Sequence, residues 1–598
     1  MKPWLTAAIF FAVVAALLTG AGFLPHRVML PLDVPRDALA WKNDPNQRVI
    51  VSNKLLSDPV FEYHAWDVEI RRLLGAGQFP WRNRFAGDGA HLFANPETAL
   101  LFPLTWPRLL FGDRGWAISI FLKLFFAGLG MWFFSRSFVS GFVYMTCGYM
   151  TVWLLFPHTS VFAVLPWFAA FAMRGNVIGT LATAALATAA GHPETLCFGM
   201  IAIAIFLFWE RRWKFLLPAA IGFALCAVQL VPFLIALSKS EMLAERAHRP
   251  AHVRLVVIPA TILPGFLGSP LAGEIDLSGL SQPAAENFNE RSGGYVGAVV
   301  LLMVLGAWPR LSRQARRGMI IGSIALALSL LSFSAAATER LGFVFAFFVC
   351  FALGEAIEPR RRIVIAVLAA IVLGVAVVLA VPAVALPIAR RGVAMLQARH
   401  YLRLASDVYE ARLAGYLAGF QAVAWRRIAV PAICVLVAAL TTRKRVIIAA
   451  IAAEMAFFAY GYDPVIDTSA IAPTPPAIQE VLRRDPQRQY LIAAAPDVYP
   501  PNLGSVDGVR DVRSYDVLQP WSRIQAMPGY DTESRSFASP PQLPGVRWFI
   551  AADGLHEIAG AQPQPWPQNV PPDGLGAGAA ISLAAFIAAA ITILRTSP

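Results

Sequence analysis

Long apolar runs with almost no charged residues dominate this sequence and limit the folds that are open to it. The chain has 598 residues, of which 57% are hydrophobic and only 15% are charged, and its mean hydropathy is +0.57. A soluble globule of this size would need more polar residues to cover its surface, so most of the surface must face lipid. The composition therefore predicts an integral membrane protein.

Basic residues are concentrated in short segments between the apolar runs. By the positive-inside rule, these segments mark one side of a membrane as cytoplasmic. The formal net charge of +13 follows from this topology and from attraction to anionic headgroups, so nucleic acid is not expected as a partner. The clusters are Arg211, Arg212 and Lys214; Arg310, Arg313, Arg316 and Arg317; residues 360–362; and residues 443–445.

The cysteines lie one by one inside apolar stretches, without the paired spacing of a disulfide framework or a metal site. They are expected to be lipid-facing or core thiols, and no metal ligand is assigned to them. The five are Cys147, Cys197, Cys226, Cys350 and Cys434.

Span length then predicts the topology. A span needs about 20 apolar residues, which predicts an all-α polytopic membrane protein with roughly 13–14 transmembrane helices. Counted from a cytoplasmic N-terminus, the crossings put every basic cluster in the cytoplasm and both long loops outside. In order, the predicted parts are a first helix (1–24), an extracytoplasmic loop (25–115), transmembrane helices (116–237), a second extracytoplasmic loop (238–292), further transmembrane helices (293–460), an extracytoplasmic domain (461–571) and a last transmembrane helix (576–594).

Two segments of the predicted topology are unlike the other spans. The first helix also fits a cleaved signal peptide, because Lys2 precedes its apolar core and Thr19-Gly20-Ala21 is compatible with cleavage. Residues 363–389 are predicted as a span, and the basic stretch 389–427 as an interfacial amphipathic helix or helical hairpin.

The predicted extracytoplasmic domain is polar and rich in proline, which separates it from the bundle. Residues 475–484 are predicted as a helix, and residues 489–494 and 546–551 as strands, because they are short apolar runs bounded by Pro, Gly and Asp. We expect a small α/β unit docked on the first loop. Its aromatic residues either stack on sugar rings or form its own core; they are Tyr515, Trp521 and Tyr530.

The first loop carries too many Trp, Phe and Pro residues for a solvated linker, so we expect a folded cap on the bundle. Asp58 is a candidate general base, since a partly desolvated carboxylate flanked by Glu62 has a pKa closer to neutral. The alternative is that Asp58 caps the following helix, as Asp before Pro commonly does.

Further ionisable residues fall on the same outer face. His192 and Glu194 follow Gly191 in a turn between two spans, and His158 lies in the preceding outer turn; either they are hydrated turn residues or they line a site. Lys123, inside a span, either snorkels or offers its charge to a lipid phosphate. Arg340, with Arg291 behind it, is the other candidate phosphate ligand, or a headgroup anchor.

The order of several loose motifs resembles that of the YfhO-type bacterial membrane proteins. In the first loop the shared pattern comprises Asp58, Tyr63 and Trp66; Gly77, Pro80, Trp81 and Asn83; Gly87 and Gly89; Ala94-Asn95-Pro96; and Phe102-Pro103-Leu104. Further along, it comprises Gly191-His192-Pro193-Glu194, Glu290 with Tyr295-Val296-Gly297, Arg340, Tyr490-Leu491-Ile492, Pro501-Asn502, residues 511–516 and residues 545–550. The resemblance covers nearly the whole chain.

That family resembles the GT-C superfamily of membrane glycosyltransferases, which implies a polyprenyl-phosphate sugar donor and an envelope polymer or glycolipid as acceptor at the outer face of the bacterial inner membrane. Asp58 would deprotonate the acceptor hydroxyl with inversion at the anomeric carbon, while Arg340 or Lys123 held the phosphate. The sequence departs from GT-C loops that carry an adjacent acidic pair, because Pro59 follows Asp58. Either Asp58 or Glu62 is thus the base, and a divalent cation remains an open alternative to no cofactor. The resemblance also makes Asn95, in Ala94-Asn95-Pro96, a candidate ligand residue.

Two other functions fit a basic polytopic protein. A lipid-linked sugar transporter or flippase should show an internal repeat and broken helices, and the sequence indicates neither. A non-catalytic envelope assembly factor would work through the terminal domain, and replacing Asp58 with Asn would leave its activity unchanged.

Overall fold

The computed structural model describes residues 2–42, 50–246, 252–254, 256–271, 274, 287–332, 338–357, 370, 374, 381–398, 405–419, 422 and 425–596. The chain folds as a bundle of apolar helices whose one end is covered by a cap built from the first loop and the polar segment near the C-terminus. The longer helices are Lys2–Thr19, Ala65–Gly75, Asp113–Ser135, Phe138–Thr146, Pro157–Met173, Val177–Ala189, Pro193–Trp209, Leu216–Leu225, Ala227–Ser238, Ala298–Ala307, Arg313–Ser329, Gly342–Ala356, Pro382–Ala398, Ser406–Gly419, Trp425–Leu440, Lys444–Ala459, Pro476–Arg484 and Leu575–Thr596.

Three helical segments within the described residues are long and apolar enough to cross a membrane: Lys2–Phe23, Asp113–Ser135 and Leu575–Leu594. A fourth crossing is possible if Trp213–Leu225 and Ala227–Ser238, which are bent by 73° at their junction, count as one span. The other apolar helices are shorter, with 10–17 residues, and they include Pro157–Met173 and Pro193–Trp209. The predicted total of 13–14 spans is therefore shown only in part, and the predicted span at 363–389 lies largely outside the described residues.

Two helix breaks were not predicted. Within the predicted transmembrane part 116–237, the chain divides at Cys147 into the helices Phe138–Thr146 and Gly148–Val152. The amide of Gly148 donates to the carbonyl of Tyr295 at 2.7 Å, and a Cβ at this glycine would overlap the neighbouring backbone. A packed segment thus takes over the hydrogen bonding that a continuous helix would make itself. The second break is the bend at Cys226, so the expectation of unbroken helices was wrong.

Two basic clusters meet at one end of the bundle. Arg317 Nη1 lies 2.8 Å from Glu210 Oε1 and its guanidinium lies 5.6 Å from the ring of Trp209. This pair joins Glu210, which follows the helix Pro193–Trp209, to the beginning of the helix Arg313–Ser329. The helix Pro193–Trp209 spans about 26 Å at 1.5 Å per residue, so Glu194 at its start lies at the opposite end of the bundle.

The polar C-terminal segment folds as the expected small α/β unit. Its helix, Pro476–Arg484, and its strands Leu491–Ala494 and Val546–Ala551 match the predicted helix and strands. The two strands pair in parallel, and they lie in a four-stranded sheet in the order Gly554–Glu557, Val546–Ala551, Leu491–Ala494, Arg510–Asp511.

The other described strands have two residues each and form four antiparallel pairs. They are Arg27–Val28 with Ile466–Asp467, Arg82–Asn83 with Ala90–His91, His252–Val253 with Leu331–Ser332, and Tyr530–Asp531 with Ser536–Phe537.

Backbone hydrogen bonds dock this unit on the first loop. The amide of Leu39 donates to the carbonyl of Asp497 at 2.8 Å, and the amide of Gly87 reaches the carbonyls of Asp511 and Arg513 at 3.1 and 2.9 Å. The indole of Trp41 donates to the carbonyl of Pro473 at 2.6 Å. Because these bonds satisfy buried backbone groups of both partners, the loop and the unit form one cap over the end of the bundle.

Candidate active site under the cap

A cavity of about 1090 Å³ lies at the capped end, opposite the joined basic clusters. Its walls come from the second loop, from the start of the helix Gly342–Ala356 and from the docked α/β unit. The cavity is therefore bounded by parts of the chain that are remote in sequence. The lining residues that matter below are Glu241, Arg246, Arg340, Tyr515, Trp521 and Arg535.

Two arginines at this cavity share one carboxylate. Arg340 Nη1 donates to Glu194 Oε2 at 2.7 Å, and Arg246 forms an ion pair with the other oxygen of Glu194. The Glu194 side chain is about one-quarter exposed. Four other carboxylates also line the cavity, namely Glu241, Glu245, Asp516 and Glu533. Within the cluster itself, one negative charge between two guanidinium groups leaves further N–H donors for a ligand. Such an arrangement suits a phosphate.

His192 supports this pair without adding a charge. It caps the helix Pro193–Trp209, because its Nδ1 accepts from the amide of Thr195 at 3.2 Å. Burial, followed by the charge of Arg340, lowers the pKa of His192 to about 3. The Nε2 atom lies 3.4 Å from Arg340 Nη1, so the ring buttresses the guanidinium.

His192 also stacks on a second histidine ring. Its ring lies 3.5 Å from the ring of His158, which in turn stacks on Trp153 at 4.5 Å. His158 is buried in this column and does not line the cavity. Its place therefore favours a supporting role over ligand binding.

Asp58 does not cap the helical turn that follows it, because its side chain makes no capping hydrogen bond. Instead, Oδ1 accepts from the hydroxyl of Tyr515 at 2.9 Å and from that of Ser57 at 3.2 Å. Tyr515 lines the cavity, so the half-buried Asp58 lies directly behind this ring. The guanidinium of Arg535 lies over the ring of Tyr515, 4.1 Å from the ring centroid.

The electrostatics of Asp58 combine opposing effects. Burial raises its pKa, while the hydrogen bonds from Tyr515 and Ser57 and the charges of Arg535 and Arg340 counteract that rise. The result is a carboxylate that binds a proton more tightly than an exposed Asp but is still stabilised in its charged form.

Other carboxyl groups lie close by. Burial, then the charges of Asp58 and Glu97, raises the pKa of Glu62 well above its usual range. Burial also raises the pKa of Glu97 to about 7 and that of Asp516 to about 6. Since neighbouring carboxylates oppose one another's ionisation, the pKa of Glu62 is raised more strongly than that of Asp58.

The remaining predicted site residues lie away from the cavity lining. The ammonium of Lys123 donates to the carbonyls of Leu154 and Phe156 at 2.7 and 3.0 Å and is buried. Arg291 is also buried, near the carbonyl of Gly268 and over the ring of Phe288. These contacts favour structural roles for both cations.

Asn95 links the first loop to the docked unit. Its side-chain oxygen accepts from the amide of Glu97 at 3.0 Å, and its amide lies 3.5 Å from Asp516 Oδ1. Asn95 thereby positions two of the carboxyl groups next to Asp58.

Three groups at the site were not predicted as ligand or base partners. Arg246 and Arg535 lie in polar segments without a recognisable motif. Tyr515 was expected either to stack on a sugar or to belong to the core of its own unit, and its hydroxyl donates to Asp58. Trp521 does line the cavity, whereas Tyr530 packs on Phe537 at 5.2 Å within the α/β unit.

In the described part of the chain, no group of three or more His, Cys, Asp or Glu side chains has the arrangement of a metal site. The alternative of a divalent cation is untested by this finding.

Comparisons with known proteins give matches in structure alone. No protein-family model matches the chain, and no curated protein matches it. The fold is similar to that of ArnT from Cupriavidus metallidurans bound to undecaprenyl phosphate, with 12% identity, 88% of each chain covered and a TM-score of 0.44. It is also similar to ArnT from Cupriavidus metallidurans in the apo state, with 13% identity, 75% of this chain and 80% of that chain covered, and a TM-score of 0.40. Membership of the YfhO-type family thus stays a prediction.

Proposed function

We propose that this chain is a GT-C-type membrane glycosyltransferase. It transfers a sugar from a polyprenyl-phosphate donor to an envelope polymer or glycolipid at the extracytoplasmic face. The observation that carries the proposal is the placement of a hydrogen-bonded carboxylate, Asp58, behind the wall of a cavity that also holds the Arg340–Glu194–Arg246 cluster. A base and a phosphate-binding cation are the two groups that this transfer requires.

Asp58 acts as the general base. The acceptor hydroxyl gives its proton to the Asp58 carboxylate while its oxygen forms the new bond to the anomeric carbon. The bond from that carbon to the phosphate oxygen breaks, its electron pair stays on the phosphate, and the configuration inverts. Burial supports this role, because it raises the pKa of Asp58 and so makes the carboxylate a stronger base.

Tyr515 controls access to Asp58. Since its hydroxyl donates to Oδ1, an acceptor reaches the carboxylate only when this ring moves or when the proton passes through the Tyr515 hydroxyl. Before the acceptor is bound, the hydrogen bond from Tyr515 favours the ionised form of Asp58.

The two arginines stabilise the leaving group. Negative charge grows on the phosphate as its bond to the sugar breaks, and donors already fixed in place stabilise that charge without reorganisation. Glu194 fixes Arg340 and Arg246 relative to each other, which supports assigning the phosphate to this wall.

The experiment is sugar transfer by the purified protein with radiolabelled polyprenyl-phosphate sugars. Asp58→Asn should lower kcat by at least about a hundredfold, as expected for loss of a general base, while donor binding is retained. Glu62→Gln should retain more activity. Asp37→Asn is the matched control, because Asp37 lies in the same loop but pairs with Lys42 at 2.7 Å.

The outcome also separates the alternatives. Transfer at the control rate by Asp58→Asn would refute the proposed mechanism and favour a non-catalytic assembly factor. Movement of the lipid-linked sugar across a vesicle membrane without transfer would favour a flippase, for which the two helix breaks are the supporting observation.

A further inference from the structure

A second, smaller cavity lies beside the docked unit, and Asp516 belongs both to its lining and to that of the larger cavity. It comprises a space of about 300 Å³ and an adjoining one of about 200 Å³. The two spaces share the side chains of Arg82, His91, Leu518 and Pro520. Its wall therefore combines the first-loop hairpin with the α/β unit.

Arg82 brings a positive charge that no carboxylate neutralises at contact distance within the described residues. Its Nη1 donates to the carbonyl of Gly89 and to His91 Nε2, both at 3.3 Å. Asn569 fixes the backbone at this point, because its side-chain oxygen accepts from the amides of Trp81 and Arg82 at 3.0 and 3.1 Å. The guanidinium is thus held in place by neutral partners.

His91 adds an uncharged donor. Arg82 can only donate, so His91 Nε2 must accept and the neutral ring carries its proton on Nδ1. Burial, followed by the charge of Arg82, lowers the pKa of His91 to about 4, which keeps the ring neutral.

Several donors around the cavity have no hydrogen-bond partner in the part of the chain that the structure describes. They are Arg82 Nε, His91 Nδ1, Gln519 Nε2 and Arg523 Nε. All four residues line the larger space. Two carboxylates line it as well: Asp88, which pairs with Arg523 at 3.4 Å, and Asp516, whose Oδ2 atom also has no hydrogen-bond partner among the described residues. Buried donors normally find acceptors, and a group with several acceptor oxygens would satisfy such a lining.

The adjoining space reaches the apolar surface of the bundle. Pro232, Ile235 and Ala236 of the helix Ala227–Ser238 form part of its wall, with Lys239 at the rim paired to Asp573 at 3.2 Å. This helix packs against Leu575–Thr596, one of the segments long and apolar enough to cross a membrane. Of the cations that line the two spaces, Arg523 pairs with Asp88 and Lys239 with Asp573, whereas Arg82 has no carboxylate within ion-pair distance among the described residues. The cavity therefore joins a donor-rich end, with one unpaired guanidinium, to an apolar wall.

We propose that this cavity binds the phosphate-bearing headgroup of an anionic membrane lipid, with Arg82 as its main ligand and the acyl chains against Ala227–Ser238. The phosphate chemistry follows from the fixed guanidinium and the surrounding donors. The lipid source follows from the apolar wall, since a free phosphate would gain nothing from it.

The test measures lipid binding by the full-length protein purified in detergent. Phosphatidylglycerol, phosphatidylcholine and inorganic phosphate are titrated separately, with bound lipid read by native mass spectrometry and stability by the unfolding temperature. Arg82→Gln should weaken phosphatidylglycerol binding about tenfold, as expected for loss of a charged hydrogen bond. Lys239→Gln, an exposed change that keeps the fold, should weaken it about two- to threefold.

Arg114→Gln is the matched control, because Arg114 is an exposed arginine at the start of the helix Asp113–Ser135. It should bind phosphatidylglycerol as the unchanged protein does. Equal affinity of the unchanged protein, Arg82→Gln and Lys239→Gln for phosphatidylglycerol would overturn the proposal. Equal stabilisation by inorganic phosphate and phosphatidylglycerol, lost in Arg82→Gln, would overturn the assignment to lipid.

Discussion

Tyr515→Phe tests the proposed base most directly, because it removes one hydrogen bond and keeps the ring that covers Asp58. In the structure the Tyr515 hydroxyl donates to Asp58 Oδ1 at 2.9 Å, and this bond opposes the rise in the pKa of Asp58 that burial causes. Its loss destabilises the ionised carboxylate, so the pKa of Asp58 should rise further.

The size of the effect follows from the bond and its surroundings. A hydrogen bond to a charged group is worth about 1.5–3 kcal/mol, and a shift of one pKa unit corresponds to about 1.4 kcal/mol. Asp58 is half-buried and keeps its second bond, from Ser57, so the lower end of the range applies. The acidic limb of the pH–rate profile should therefore move up by about one pH unit.

The assay is kcat/KM for sugar transfer from a polyprenyl-phosphate donor, measured across the acidic limb. Well above both pKa values, Tyr515→Phe should recover the rate of the unchanged protein, because Asp58 is then ionised in both. Tyr530→Phe serves as the control, since Tyr530 packs on Phe537. An unmoved acidic limb would refute Asp58 as the titrating base, and a rate lost equally at every pH would show that the hydroxyl itself carries the proton.

Three further outcomes are expected. Glu194→Gln should raise KM for the donor about tenfold with a smaller change in kcat, because a charge-assisted bond no longer fixes Arg340 and Arg246. An unchanged KM would show that the donor phosphate does not bind at this cluster. Lys123→Met should lower the unfolding temperature, at a cost of about 1–3 kcal/mol for carbonyls left without their donor, yet leave donor KM unchanged; a raised KM would restore Lys123 as a phosphate ligand. Replacing residues 461–571 with a flexible linker should abolish transfer but preserve donor binding, since Arg340 and Arg246 belong to the rest of the chain. Transfer at the normal rate would show that this segment only connects two helices and takes no part in the reaction.

The helices could be predicted from sequence because apolar run length almost fixes them. Leu575–Thr596 begins and ends within two residues of the predicted span 576–594, since polar residues bound this run. The break at Cys147 could not be found in this way, because both of its sides are apolar. The amide of Gly148 leaves the helix for the carbonyl of Tyr295, a contact set by packing.

Part of the candidate site could also be predicted from the sequence, for a different reason. Asp58 and Arg340 stand out as rare charges beside apolar runs, and topology puts them on one face. Their partners do not stand out. Tyr515 lies 457 residues from Asp58, and Arg246 belongs to a polar loop where an arginine carries no signal of its own. Residue type could thus suggest a base and a cation, but only the fold shows which side chains tune them.

The docking contact gives one sequence motif a physical explanation. Gly87 has φ of +56°, and a Cβ there would lie 2.9 Å from the side chain of Ser514, so glycine meets both a backbone and a packing requirement. The same residue donates its amide to the carbonyls of Asp511 and Arg513, immediately before Tyr515 reaches Asp58. The glycine pattern of the first loop is therefore needed to bring the α/β unit close enough to place Tyr515, and a Gly87→Ala change should affect the proposed base through this contact although it lies outside the cavity.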